Sequence, residues 1–298
     1  MAQGNFGAPV IKGPWTSGMD RSLKIAALTA PGWAWPGLAH GFLGRHGGVS
    51  DPPYSSLNFS ASNGDDPDDV KENWRIFKRA AGVHGTTVVT MSQVHGDRVL
   101  VADKSSGKNA GEGDAIVTAT PGVLLGILTA DCVPVLIVDP ERRIASAVHA
   151  GWKGTLSGIL PKTIGAMRER FGTRPLDLYF AVGPSIGPCC YEVSSEIYDR
   201  FERQWGQECA RAWRPGSGGK GFLDLREINI QMLEREGVPQ NRIERVGPCT
   251  ACSTRDFFSH RGEAGKTGRQ LSYVGWQGEF GVRSSEFGVR SSEFGVRS

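Results

Sequence analysis

The 298-residue chain has a formal net charge of +3 and an ordinary apolar fraction, which fits one large domain or two small ones. Its Lys and Arg residues are scattered, with no basic stripe interleaved with aromatics, so nucleic acid is not an expected partner. The longest apolar stretch, Val123 to Val138, is interrupted by Asp131 and Pro134 and is too short for a membrane span of about 20 residues. No charged segment followed by an apolar core opens the chain, and the expected location is cytoplasmic.

Residues 1–22 are rich in Gly, Pro and Ser without periodicity and read as a disordered leader. Asp66-Pro67 is a helix start with Pro at the first helical position. Val70, Trp74, Phe77 and Ala81 then recur at helical spacing up to Gly82. Between positions 86 and 149 the pattern turns to short β-branched runs: Thr87–Met91, Val99–Ala102, Ala115–Thr118, Val123–Leu128, Val133–Val138 and Ile144–Val148. Turn residues such as Gly111, Gly113, Pro121-Gly122 and Asp139-Pro140 separate them.

A second helix is expected after Gly154, with Leu156, Ile159, Leu160, Ile164, Met167 and Phe171 near one face and Gly172 as its stop. Pro161 lies inside that run and predicts a kink or restart. Val193, Ile197 and Phe201 suggest a third helix, and Leu225, Ile228, Met232 and Leu233 a fourth, closed by Gly237 and Pro239.

Consecutive strands without intervening helices predict an α+β fold, with antiparallel or mixed sheets and helices packed outside. The expected organisation is a leader over 1–22, one catalytic domain over 23–277 and a low-complexity tail over 278–298. The tail repeats Glu-Phe-Gly-Val-Arg-Ser-Ser from Glu279. Each unit holds a Gly and too few apolar residues for a coiled-coil seam, so the tail reads as repeat expansion or a cloning artefact.

Three residues able to bind a borderline metal lie at strand ends: His95 in Gln93-Val94-His95-Gly96, Cys132 in Ala130-Asp131-Cys132-Val133, and His149 in Val148-His149-Ala150-Gly151. Two imidazoles and a thiolate suit Zn²⁺ and also accept copper, and three protein ligands leave a fourth position open, as in catalytic sites. The same residues also fit a buried Cys and two hydrogen-bonded His. Gly151-Trp152-Lys153-Gly154 leads into a helix and is a candidate anion site, though it lacks P-loop spacing. The glycine-rich segment from His40 to Gly48 carries Arg45, and Phe257-Phe258-Ser259-His260 precedes Arg261; both arginines are candidates for bidentate phosphate contacts. Pro248-Cys249-Thr250-Ala251-Cys252 matches half of the zinc nucleoside deaminase signature. The His-x-Glu half is absent, so this segment reads as a structural or redox-sensitive pair.

Taken together, His40 to Asn58, Gln93-Val94-His95-Gly96, Asp114-Ala115 and Leu128-Thr129-Ala130-Asp131-Cys132 resemble the YfiH family, also called the laccase-domain or polyphenol oxidase family. His149-Ala150-Gly151-Trp152, Gly183-Pro184-Ser185-Ile186-Gly187 and Phe257-Phe258-Ser259 continue the resemblance, which covers roughly residues 25–276. It implies a fold similar to the catalytic domain of cytotoxic necrotizing factor toxins and a zinc site at His95, Cys132 and His149. It also implies phosphorolysis of adenosine, inosine, guanosine and methylthioadenosine, with adenosine deamination as a side activity.

The expected substrate and phosphate contacts are then His40, Arg45, Asn58, Lys153, Ser259 and Arg261. Ser259-His260-Arg261-Gly262 departs from the family's usual Ser-x-Arg-Arg, which weakens the assignment of Arg261. A multicopper oxidase needs several His-x-His pairs, and this chain has six His and no such pair. A cysteine hydrolase using Cys132 and His149, and a non-enzymatic binding protein, are the competing readings.

Overall fold

A computed structural model describes residues 25–83 and 86–278. The expected leader and the repeats from Glu279 lie outside them. Strands β1 (Ala27–Leu28) and β2 (Leu38–Leu43) precede helix α1 (Pro67–Ala80). Asp66 caps α1 through its side chain, and Pro67 supplies the preset φ of the first turn. Seven strands follow: β3 (Thr87–Ser92), β4 (Val99–Val101), β5 (Asn109–Glu112), β6 (Ala115–Thr118), β7 (Val123–Thr129), β8 (Val133–Asp139) and β9 (Ile144–Ala150). The chain then forms α2 (Trp152–Leu156), α3 (Ile159–Phe171), β10 (Tyr179–Val182), β11 (Glu192–Ser194) and α4 (Ser195–Trp205). It ends with β12 (Trp213–Pro215), β13 (Lys220–Leu223), α5 (Leu225–Arg235), β14 (Ile243–Arg245) and β15 (Gln270–Trp276).

The strands build two mixed six-stranded sheets, ordered β1-β2-β15-β7-β3-β5 and β14-β10-β8-β9-β6-β4, beside a small sheet β11-β13-β12. The expected α+β class with mixed sheets holds. The run of strands between 86 and 149 does not stay in one sheet: β3, β5 and β7 join the first, and β4, β6, β8 and β9 the second.

Alternation along β8 shows how the layers stack. Leu136 and Val138 meet Val89, Leu125, Ile127 and Val274 of the facing sheet. Val133, Val135 and Ile137 point the other way, onto Ile164 and Met167 of α3 and Ile228 and Leu233 of α5. On the outer face of the first sheet, Leu124, Leu271 and Tyr273 pack against Ile76 and Phe77 of α1. Both faces of the central strands are therefore buried, which is why they read as continuous apolar runs.

Two expectations need correction. The second helix begins at Trp152, before Gly154, and breaks at Gly158, whose left-handed φ of +79° separates α2 from α3. Of the two outcomes expected at Pro161, the chain takes the restart: Pro161 falls in the first turn of α3, where its missing N–H costs nothing. Val193 belongs to β11, and α4 starts only at Ser195. Strands β2 and β15 were not expected, because Gly, His and Ser interrupt their apolar pattern, yet every residue of both is buried. Among the described residues no helix is long and apolar enough to cross a membrane.

Candidate metal centre

The site forms where three connections meet at one end of the two sheets. His95 sits in the turn after β3, with φ +58°. The N–H groups of Val94, His95 and Gly96 all donate to the carboxylate of Asp114, at 3.2, 3.0 and 2.7 Å. Asp114 is fully buried at the start of β6. Its Oδ1 also lies 2.7 Å from Nδ1 of His149, in β9. One carboxylate thus shapes the His95 turn and orients the His149 ring, leaving Nε2 of His149 as the nitrogen free to bind a ligand. Burial opposes ionisation of Asp114, but hydrogen bonds from His149, Gly96 and Val94 outweigh it and hold the carboxyl below its ordinary pKa.

Cys132 lies in the turn between β7 and β8, directly after Asp131, whose φ is +89°. A non-glycine residue there costs on the order of 1–3 kcal/mol and persists only when its surroundings over-determine it. Those surroundings are visible. The Asp131 carboxylate accepts from Thr250 Oγ1 at 2.6 Å, Ser259 Oγ at 2.7 Å and the Arg261 N–H at 2.6 Å. Its carbonyl accepts from the Ile186 N–H at 2.9 Å. Two distant loops therefore clamp the turn that presents the thiol.

The ligand atoms of His95, Cys132 and His149 lie within 4.8 Å of one another. The two imidazole rings meet edge to face, with centroids 4.8 Å apart. Burial disfavours a thiolate at Cys132, but the charge and hydrogen bonds of His149 and His95 bring its pKa down to about 6. Burial likewise opposes a charged His149, and the Cys132 thiolate and Asp114 overcome it, raising His149 to about 9. Gly151 makes the close approach possible: a Cβ there would stand 3.0 Å from His95 Cδ2 and 3.2 Å from Cys132 Sγ. Two nitrogens and one sulfur converging, with a carboxylate behind one imidazole, fit a zinc ion and leave one face of the site open.

That face opens into a cavity of about 810 Å³. Ser60, Ser62, Gln93, Tyr191, His260, Arg261 and Arg269 line it together with the three candidate ligands. Of the other residues expected to contact substrate, only Arg261 lines this cavity. The rest are placed elsewhere. Arg45 is held by Ser55 O, Thr254 O and Glu263, and lies over the Phe258 ring. His40 is buried against Trp33 and accepts from the Ala30 N–H, and burial lowers its pKa to about 4. Lys153 is exposed and lies over Trp152. Asn58 and Ser259 are buried supports: Asn58 bonds Ser60, Asp65 and Arg269, and Ser259 bonds Asp131.

The sequence reading missed Arg269, because β15, which it immediately precedes, was not recognised as a strand. It also missed the orienting role of Asp114. The available signal was a lone carboxylate at the head of an apolar strand, within the motif Gly113-Asp114-Ala115.

The family model described as "Multi-copper polyphenol oxidoreductase laccase" matches residues 39–277. The chain belongs to this family, the YfiH or laccase-domain family. It is 36% identical over 252 residues to "Purine nucleoside phosphorylase YlmD" of Geobacillus stearothermophilus, covering 82% of this chain and 92% of the relative. It is 40% identical to a "Purine nucleoside phosphorylase" of Deinococcus radiodurans, covering 84% and 93%. The crystal structure of Geobacillus stearothermophilus YlmD superposes with a TM-score of 0.78 at 36% identity, covering 81% of this chain and 93% of that one. A Bacillus licheniformis hypothetical protein YfiH superposes with a TM-score of 0.76 at 33% identity, covering 80% and 93%. The word multi-copper in the family description meets a chain without His-x-His pairs. Among the described residues the groups able to hold a metal are His95-Cys132-His149 and a cluster of four cysteines.

Proposed function

We propose that the chain is a purine nucleoside phosphorylase acting on adenosine, inosine, guanosine and methylthioadenosine at a zinc site held by His95, Cys132 and His149. The observation that carries this reading is the convergence, in one cavity, of the three ligand side chains with Arg261 and Arg269. The names of the relatives support the substrate class. In the reaction an oxygen of phosphate forms a bond to ribose C1′. The C1′–N9 bond breaks, and its electron pair leaves with the base, which takes up a proton. A bound zinc ion would supply Lewis acidity toward an oxygen of phosphate or water.

The chain's own residues do the rest. Arg261 and Arg269 offset phosphate charge and orient it, converting an encounter of two solutes into a positioned attack. Thr129 Oγ1, buried without a hydrogen-bond partner, lines the same cavity and suits a ribose hydroxyl. His260 stands on the wall as a group able to pass a proton to the departing base. With water in place of phosphate, attack on the purine ring would displace ammonia, giving adenosine deamination as a side activity. The expected test result is release of free base from adenosine and inosine that requires phosphate and disappears in Cys132→Ala. Full phosphorolysis by that variant would overturn the assignment.

A second reading rests on the Cys132–His149–Asp114 chain of contacts, which has the nucleophile, base and orienting carboxylate of a cysteine hydrolase. We also read the fold as related to the cytotoxic necrotizing factor catalytic domain, which keeps this alternative in play. Zinc would occupy the thiolate and blunt it. Rapid alkylation of Cys132 by iodoacetamide in zinc-replete protein would favour the hydrolase.

A further inference from the structure

Behind the clamp on Asp131 lies a second cluster that phosphorolysis does not use. Cys189 and Cys190 occupy the loop between β10 and β11, and Cys249 and Cys252 the turn after β14. Their four sulfurs lie within 4.8 Å of one another. Cys252 Sγ stands 3.3 Å from Cys189 Sγ and 3.3 Å from Cys190 Sγ, so it favours neither as a partner. Four thiolates around a zinc ion at bond lengths near 2.3 Å place their sulfurs roughly 3.8 Å apart, close to the spacing seen.

Three further features make this a built site. The Gly187 N–H donates to Cys249 Sγ at 3.1 Å, the kind of contact that stabilises a metal-bound thiolate. Arg226 reaches both segments, donating to Ser185 Oγ at 3.2 Å and to the carbonyls of Gly247 and Pro248 at 3.1 and 3.3 Å. Its positive charge acts on Cys189 and Cys249 and would offset the charge of a tetrathiolate. A backbone bridge between Ser185 and Cys249 holds the two segments side by side without help from the sulfurs.

We propose that Cys189, Cys190, Cys249 and Cys252 form a structural Zn²⁺ site, closed by four protein ligands and separate from the reaction centre. On binding, the thiols release their protons to solvent and no redox step is involved. Its placement gives it a task. One segment carries Ile186, which bonds the Asp131 carbonyl, and Tyr191, on the cavity wall. The other carries Thr250 and leads to Ser259 and Arg261, which hold the Asp131 carboxylate. Zinc at the cysteines would lock the two loops that set the strained turn before Cys132.

The test uses full-length protein purified under reducing conditions, with metal counted by plasma mass spectrometry. Wild type is expected to hold about two zinc ions per chain, and Cys132→Ala about one, because its four-cysteine cluster is intact. Cobalt titrated into Cys132→Ala should give the intense thiolate charge-transfer bands and tetrahedral visible bands of a four-sulfur site. Cys249→Ser/Cys252→Ser should hold one zinc ion fewer than wild type. Folded Cys132→Ala that takes up neither zinc nor cobalt would overturn the proposal. So would a disulfide joining Cys252 to Cys189 or Cys190, found by alkylation and peptide mass mapping of freshly purified protein.

Discussion

The His95-Cys132-His149 centre and the four-cysteine cluster are both groupings able to hold a metal ion, and they differ in their donors and in what surrounds them. The first is assembled from strand ends, with a fully buried carboxylate behind one ligand and an open face toward an 810 Å³ cavity. The second is assembled from two loops near the surface, offers four sulfurs that would fill a tetrahedral ion's coordination, and has the Gly187 N–H and an arginine as its support. The contrast lies in the donors, in whether a coordination position is left open, and in what holds the ligands. An open, carboxylate-backed site suits turnover, and a closed all-thiolate site suits holding chain segments together.

The comparison can be broken most directly at Cys132. Cys132→Ala should lower phosphorolysis by about 10³-fold or more, since residues acting as a unit fail together, while the zinc of the cysteine cluster stays. Steady-state rates and metal content on one preparation decide it. The clamp comes next. Asp131→Ala removes the acceptor of three hydrogen bonds and leaves Thr250 and Ser259, both fully buried, without it. A loss of about 3 kcal/mol in urea unfolding is expected.

Asp114→Asn keeps the size of the side chain but removes the charge facing His149. It should weaken zinc at the reaction centre by roughly 10–100-fold in chelator competition and leave the cysteine cluster unaffected.

The smallest expected effect sharpens the role of anionic partners. His149 has the Cys132 thiolate and the Asp114 carboxylate beside it and is pushed up in pKa; His40 is buried without such a partner and is pushed down to about 4. The unfolded chain binds a proton at His40 below about pH 6.5 and the folded chain does not, so stability falls with pH through this window. Between about pH 6.5 and 5 the loss from His40 is at most about 2 kcal/mol. His40→Gln keeps an acceptor for Ala30 and should lose that part of the pH dependence in denaturant titrations.

Much of the centre could be read from local pattern. His95, Cys132 and His149 each adjoin an apolar strand that periodicity exposes, and α1 announces itself through Asp66-Pro67. The groups that hydrogen-bond those side chains could not be read in the same way. Asp114 and His149 are 35 positions apart, and only the pairing of β6 with β9 brings them together. Arg45 shows the limit of residue type: a guanidinium suits phosphate, and the fold bonds this one to Ser55, Thr254 and Glu263. Arg269 escaped notice because the strand it precedes, β15, mixes Ser and Gly with apolar residues in the centre of a sheet.

Local pattern in the chain was enough for the α+β class, the first helix and its cap, the strands from β6 to β9, the three candidate ligands and the family. Those depend on short-range periodicity, turn chemistry and residue type. Only the tertiary structure decided that the strands divide between two facing sheets, that Asp114 and Asp131 organise the ligands, and that two cysteine pairs 59 positions apart form one cluster (Cys190 to Cys249). The reason is physical: which way a side chain points, and what it meets, is set by long-range packing and hydrogen bonding that no local window contains.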